Sequence, residues 1–337
     1  MKIKYSGHLP PTNRNFSSPN FGLGARQIDK ALINASLENL GGVKNNTHKA
    51  RSAACRDFAL FLKQETDAKR LNAISKQEVT GYAEYLRERY ECNGQFSARA
   101  ARDYLSHINV CLRQARGDSK LTVLATKEMD FPPKNEIETI DRSVSEDLHN
   151  QIVTQASEPV AVISQLQRAF GLRFREASLT DCEKALKEYH STGFITVSRG
   201  TKGGQNRTIE IENFNQVSAL ERGANLQAHT GHVNATPVDS SLKAFQSKAW
   251  REVKSINSNY HSHGERKFFA CQYYTEKMGV APPVIAEVSH GKAHFVFAAE
   301  RLGITVSEAK TEDEKVRLQL SQLLGHHRPG ITNAYIG

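Results

Sequence analysis

The chain closes on Leu323-Leu324-Gly325-His326-His327-Arg328-Pro329-Gly330-Ile331-Thr332-Asn333-Ala334-Tyr335, which sets a tyrosine nine residues after a histidine. Upstream of it, His261-Ser262-His263-Gly264-Glu265-Arg266-Lys267 places His263 and Arg266 three residues apart, on one face if the segment is helical. Earlier still, Gly193-Phe194-Ile195-Thr196-Val197 and Thr208-Ile209-Glu210-Ile211 read as strands around the turn-rich Arg199-Gly200-Thr201-Lys202-Gly203-Gly204-Gln205-Asn206, so a β-hairpin carries Lys202 at its tip. The first of the four segments, Gly171-Leu172-Arg173-Phe174-Arg175-Glu176-Ala177, follows an apolar helix and sets Arg173 beside a glutamate able to orient it. Singly, each reads as ordinary surface: two helix arginines, a solvated turn lysine, scattered histidines. Jointly they supply guanidinium, amine, imidazole and phenol, the groups that hold a phosphate and attack it.

Around these segments the pattern is mainly helical, which predicts an α+β protein whose β content is one small hairpin or sheet. Ala54, Phe58, Phe61 and Leu62 define a first helix from about Thr47 to Gln64. Ser75-Lys76-Gln77-Glu78 is a capping box opening a second, with Val79, Tyr82, Tyr85 and Leu86 on its apolar face. A third runs between Ser97 and Arg116, with Ala101, Leu105, Ile108 and Leu112 beside Arg99, Arg102, Arg113 and Arg116. The Pro132-Pro133 pair in Asp130-Phe131-Pro132-Pro133-Lys134-Asn135 removes two amide donors and marks a domain boundary. Helices resume over Ser143 to Ala156 and Val160 to Phe170. These readings divide the chain into an arm over residues 1–43, a basic helical domain over 44–130 and a further domain over 140–337.

Composition narrows the function. The first 120 residues hold 20 lysines and arginines against 11 acids, while the remaining 217 hold 25 against 25, so the whole net charge of +9 is amino-terminal. A basic first third on a neutral remainder fits a module that grips a polyanion and releases its counterions. Lys49, Arg51, Arg99, Arg102, Arg113 and Arg116 are its candidate DNA-binding residues, and Lys2, Lys4, Arg14 and Arg26 give the arm a contacting role. No stretch has the ~18 consecutive apolar residues of a membrane helix, and the first ten residues hold no secretory h-region, which predicts a cytoplasmic protein without membrane association. Five widely spaced cysteines with no Cys-x-x-Cys pair fit neither a disulfide framework nor a zinc site. His290-Gly291-Lys292-Ala293-His294 lacks the glutamate of the metalloprotease helix, so no metal is expected.

In their order, the four segments resemble the tyrosine recombinase (phage integrase) family, with its Arg, hairpin Lys, His-x-x-Arg box, Leu-Gly-His box and terminal Tyr. The resemblance covers residues 140 to the end by motif, and the basic helical domain is similar to the family's core-binding domain in position and size. It implies a site-specific DNA recombinase, the integrase of a mobile element, that cuts and rejoins duplex DNA through a 3′-phosphotyrosine. Tyr335 would be the nucleophile, Arg173 and Arg266 the phosphate clamps and Lys202 the acid for the leaving 5′-oxygen. His263 would be the general base, His326 a hydrogen-bond donor to the phosphate, and Glu176 an orienter behind them. It implies no cofactor, double-stranded DNA as partner, a homo-tetramer on two DNA sites, and a place for DNA-bending accessory proteins. A type IB topoisomerase-like relaxing enzyme shares this residue set, and a non-catalytic DNA-binding regulator on the same fold is the alternative from another class.

The chain departs from the family in three places. Gly264-Glu265 stands where Asp-Leu is usual and Lys267 where a histidine often follows, a carboxylate that would weaken an anion pocket. Sixty residues separate Arg266 from His326, which predicts an insertion near 281–311. The sequence ends two residues after Tyr335, where many members continue into a further helix. Arg175 and His261 are the nearest competitors of Arg173 and His263 for the same roles.

Overall fold

In the computed structural model, residues 14–93, 96–133 and 137–337 are described, the side chain of residue 93 excepted. Lys2, Lys4 and Pro10-Pro11 of the expected arm, and Lys134-Asn135 of the expected boundary, lie outside the described residues. The chain divides into two compact units, Met1–Asn135 and Glu136–Gly337.

The first unit is helical: α1 (Ile28–Asn39), α2 (Asn46–Glu65), α3 (Lys76–Asn93), α4 (Ala98–Arg116) and the single turn α5 (Ala125–Glu128). Side-chain caps set two of the starts, Asn45 accepting from His48 N–H and Ser97 from Ala100 N–H. Glu78 reaches back to Ser75 N–H at 2.7 Å, the expected box. Ala54, Phe58, Leu62, Tyr82, Leu86, Leu105 and Leu112 close into one core.

Residues 14–43 do not form an arm. Leu23, Ala31, Leu32 and Ala35 are buried in the same core, so α1 is part of the bundle. Arg14 bonds Glu38 at 3.1 Å and the carbonyls of Phe21, Gln114 and Ala115, which makes it a structural tie. Asn20, 1% exposed and at φ 52°, accepts from Leu71 N–H and donates to the carbonyls of Ala25 and Arg26. The Asn, Ser and Gly of this segment are there because buried turns need side chains that bond backbone and tolerate positive φ.

The candidate DNA-binding residues separate in the same unit. Lys49 and Arg99 are exposed and Arg113 is half-buried. Arg102 donates to Pro132 O at 2.6 Å, and Arg116 pairs with Asp118 at 3.2 Å. Arg51 is 7% exposed and donates to Asn39 Oδ1 at 2.8 Å, so it is a core residue and offers no surface to DNA. Its sequence position, on the helix turn that faces α1, decides this.

The second unit begins with α6 (Glu146–Gln155), α7 (Glu158–Phe170), α8 (Phe174–Leu179) and α9 (Cys182–Thr192). The hairpin of β1 (Phe194–Val197) and β2 (Arg207–Glu210) follows, then α10 (Phe214–Thr230), α11 (Leu242–Ile256) and α12 (Ser262–Met278). The chain ends through α13 (Pro283–Ala286), α14 (Lys292–Leu302), α15 (Val306–Leu323) and α16 (Asn333–Ile336). The strands pair antiparallel with Ile195 opposite Ile209 and Val197 opposite Arg207. One core gathers α6 to α11 and the hairpin; a second gathers α12 to α16 and contains Tyr335 and Ile336. The segment expected as an insertion forms α13, α14 and the first turns of α15, with Ala298, Ala299 and Ala309 buried in this second core. No helix among the described residues is long and apolar enough to cross a membrane.

Candidate active site

Three backbone breaks deliver the site. Helix α7 stops at Gly171, which takes φ 60° and lies against Phe269, whose ring a Cβ there would meet at 2.5 Å. The chain turns through Leu172, and Arg173 becomes the N-cap of α8, with Glu176 at its third position. At the far end, α15 stops before Gly325, at φ 71°, and His326 N–H returns to Ser321 O at 2.8 Å. Pro329 opens a short 3-10 turn (Pro329–Ile331), and the one-turn α16 carries Tyr335.

Glu176 is the hub. Its carboxylate is fully buried and accepts from Arg173 N–H at 2.9 Å and Arg173 Nη1 at 2.8 Å. It also accepts from Arg207 at 3.2 and 2.8 Å, and Arg266 Nη1 stands 3.8 Å away. Burial alone would raise its pKa; the bonds and charge of Arg207, with Arg173 N–H and Arg266, outweigh that and hold it at about 2. One anion thus holds three guanidinium groups side by side.

Arg266 has no exposed surface. It donates Nη1 to Gly171 O, Nη2 to Leu324 O at 2.6 Å and Nε to Tyr335 Oη at 3.2 Å. Burial pulls its pKa to about 10, still cationic at neutral pH. His326 Nε2 lies 2.9 Å from Arg173 Nη2. A guanidinium only donates, so Nε2 accepts and the ring proton sits on Nδ1. His263 packs its ring 5.5 Å from that of Tyr335. Desolvation first, then neighbouring cations, lowers both histidines to about 4: Arg266, Lys267 and Arg173 around His263, Arg173, Arg266 and Lys202 among those around His326. Both are neutral at pH 7.

The structure brings Arg173, Glu176, His263, Arg266, His326 and Tyr335 together. Lys202 stays at the hairpin tip, exposed, in the turn Lys202–Gly204. His327 bonds Gln205 Oε1 at 2.9 Å, linking the histidine turn to that tip. Arg175 and His261 are exposed, and neither bonds the cluster among the described residues. Arg207 is the member that motif reading misses; strand parity holds its signal, since it shares with Ile209, two residues on, the strand face toward the core.

Glu265 corrects the expectation of a weakened anion pocket. Its carboxylate turns away, bonding Arg168 Nη1 at 2.9 Å and His149 Nδ1 at 2.9 Å. Gly264 beside it admits the incoming strap: Val144 N–H donates to Gly264 O, and a Cβ there would meet Arg142 O at 2.9 Å. Lys267, in place of the histidine, donates Nζ to Glu138.

The net of this geometry is a cationic cup beside a buried phenol, with two uncharged imidazoles as acceptors. It predicts that a bound phosphate or sulfate raises the pKa of both histidines from about 4 and is taken up with protons below pH ~6. Nitrogen NMR of labelled histidine should show His326 carrying its proton on Nδ1 in the free protein; a proton on Nε2 would refute the assigned Arg173 bond.

Residues 136–272 match the Integrase family. The whole fold is similar to the Tn1549 transposon integrase solved with circular intermediate DNA, at 13% identity and TM-score 0.52 over 93% of this chain and 96% of that one. It is similar also to a lambda integrase dimer bound to a COC′ core site, at 14% identity and TM-score 0.51 over 84% and 94%. No curated protein matches the chain. Residues 136–272 are thus similar to the Integrase family, and the chain shares the fold of these two integrases.

Proposed function

We propose that the protein is a site-specific DNA recombinase that cuts and rejoins duplex DNA through a 3′-phosphotyrosine at Tyr335. The observation that carries this is the 3.2 Å bond from Arg266 Nε to Tyr335 Oη inside a three-arginine cup: the phenol already sits against the group that would hold the phosphate. Arg173 clamps one non-bridging oxygen and Arg266 takes the other with the Nε that Tyr335 Oη leaves as it moves to phosphorus, so fixed donors meet the developing charge. Tyr335 Oη attacks phosphorus, His263 takes the phenolic proton, and the departing 5′-oxygen takes one from Lys202. Anion binding lifts His263 toward neutral pH, where it becomes an effective base. His326 donates through its Nδ1 proton. The phosphotyrosine keeps the energy of the broken bond, so an incoming 5′-hydroxyl restores the phosphodiester without a cofactor.

The same reading makes the first unit the DNA-gripping module, through Lys49, Arg99 and Arg113 with Arg102 and Arg116 alongside. It makes the protein the integrase of a mobile element, in the cytoplasm, working as four copies on two DNA sites with room for DNA-bending proteins. The test is an SDS-resistant adduct on gene-flanking DNA nicked near the crossover, where the short strand diffuses away and traps the covalent state. An adduct that also joins two sites supports recombination. Relaxation of supercoils without joining would make it a topoisomerase. Tight binding with no adduct would make it a regulator.

A further inference from the structure

Helix α16 has four residues and too few internal bonds to hold itself. Its backbone therefore depends on whatever grips the two residues at its start, while the Tyr335 hydroxyl meets Arg266. Arg317, on α15 and 4% exposed, donates Nη1 to Thr332 Oγ1 at 3.3 Å and to Asn333 Oδ1 at 3.0 Å. Its Nε is fixed by both oxygens of Asp313, at 3.0 and 2.8 Å, and Tyr274 Oη donates to the same carboxylate. Asp313 is 2% exposed. Thr332 is fully buried, and its carbonyl receives Tyr335 N–H at 2.8 Å.

We propose that Arg317, held by Asp313, is a positioning residue for Tyr335. It rests on the reading of Tyr335 as nucleophile. A buried ion pair is a poor source of stability, because two apolar side chains of equal volume would do as well or better. What the charged pair supplies is direction: with Nε held by Asp313, the single Nη1 fixes Thr332 and Asn333 in one arrangement, and the phenol follows within three residues. Attack on phosphorus needs the reacting atoms about 3–3.5 Å apart and in line, and an error of 1 Å costs on the order of 10²-fold. Arg317 touches neither phosphate nor phenol, so its effect belongs to the cleavage rate and not to DNA affinity.

The test compares Arg317→Met, Arg317→Lys, Asn333→Ala and the Arg317→Met/Asn333→Ala double variant in the full chain. Adduct formation on nicked DNA should fall on the order of 10²-fold in Arg317→Met at saturating DNA, with Kd within about twofold of the parent. Asn333→Ala, which leaves the Asp313 pair intact, should show a similar fall, and the double variant should be no worse than the worse single one. Arg317→Lys should recover part of the loss, since an ammonium keeps the charge but has no second nitrogen to bond Asp313 while the first holds Thr332 and Asn333. Arg317→Met losing affinity, melting temperature and cleavage together, with Asn333→Ala cleaving like the parent, would overturn the proposal in favour of core stability. If the parent forms no adduct, the functional reading falls and amide exchange in the DNA-free protein decides: faster exchange at Tyr335 and Ile336 alone supports positioning, and unchanged exchange overturns it.

Discussion

Replacing Tyr335 with phenylalanine should abolish the covalent adduct, a loss on the order of 10⁴-fold or more, as when a covalent nucleophile is deleted. Binding and folding should survive it. The ring belongs to the second core of the second unit, with Cys271, Leu320 and Ile336, and phenylalanine fills the same space. The hydroxyl's one bond among the described residues is the one it accepts from Arg266, whose guanidinium keeps the carbonyls of Gly171 and Leu324. Losing one bond of three at a buried cation costs about 1–2 kcal/mol. The measurement is adduct formation beside DNA Kd and thermal melting for the same preparation. A surviving adduct would remove Tyr335 from the chemistry; a lost adduct with collapsed binding would make its hydroxyl structural.

Glu176→Ala should have the largest effect on folding. It leaves Arg207, whose Nε already lacks a partner, buried beside Arg266 with no anion between them. Breaking a buried pair from one side costs about 3–5 kcal/mol, a large share of the 5–15 kcal/mol that holds a typical domain. Glu176→Gln keeps the shape and loses the charge, so it is the variant for measuring activity. Both should show weak clamping, because Arg173 and Arg266 then repel without a shared counter-ion.

The charge also has a pH signature. Glu176 titrates near 4.5 when unfolded and at about 2 when folded. Below pH 4.5 the unfolded chain takes a proton that the folded one refuses, so the Glu176 contribution is fully present above that pH and is lost as pH falls toward 2. The span corresponds to about 3 kcal/mol. His263 and His326 act in the same direction earlier, between 6.5 and about 4, since each stays neutral in the folded protein. Acid denaturation of Glu176→Gln should therefore keep the histidine window and lose the carboxylate window. An unchanged midpoint below pH 4 would show that Glu176 is not the anion at the hub.

Where residue chemistry is local, it could be read directly. The capping box at Ser75 and the apolar stripe of α4 follow from neighbours within four positions, and the hairpin from the turn-rich stretch between its two short strands. The order Arg173, Lys202, His263, Arg266, His326, Tyr335 was likewise legible, because each group sits in a short segment with its own turn or helix signal. Charge was less informative: Arg14 and Arg51 count toward the basic excess, yet both are tied into the bundle.

The sequence by itself thus determined a mainly helical chain with one hairpin, a basic first third, and a set of arginine, lysine, histidine and tyrosine side chains in a specific order. Only the tertiary structure decided which of them share a counter-ion. Arg207 joins the site through strand parity, Glu265 leaves it by pairing with Arg168 and His149, and Arg317 reaches α16 from the helix before. Each of these turns on where a buried charge finds its partner, and in a low-dielectric interior that partner is fixed by the folding of segments up to about a hundred residues apart.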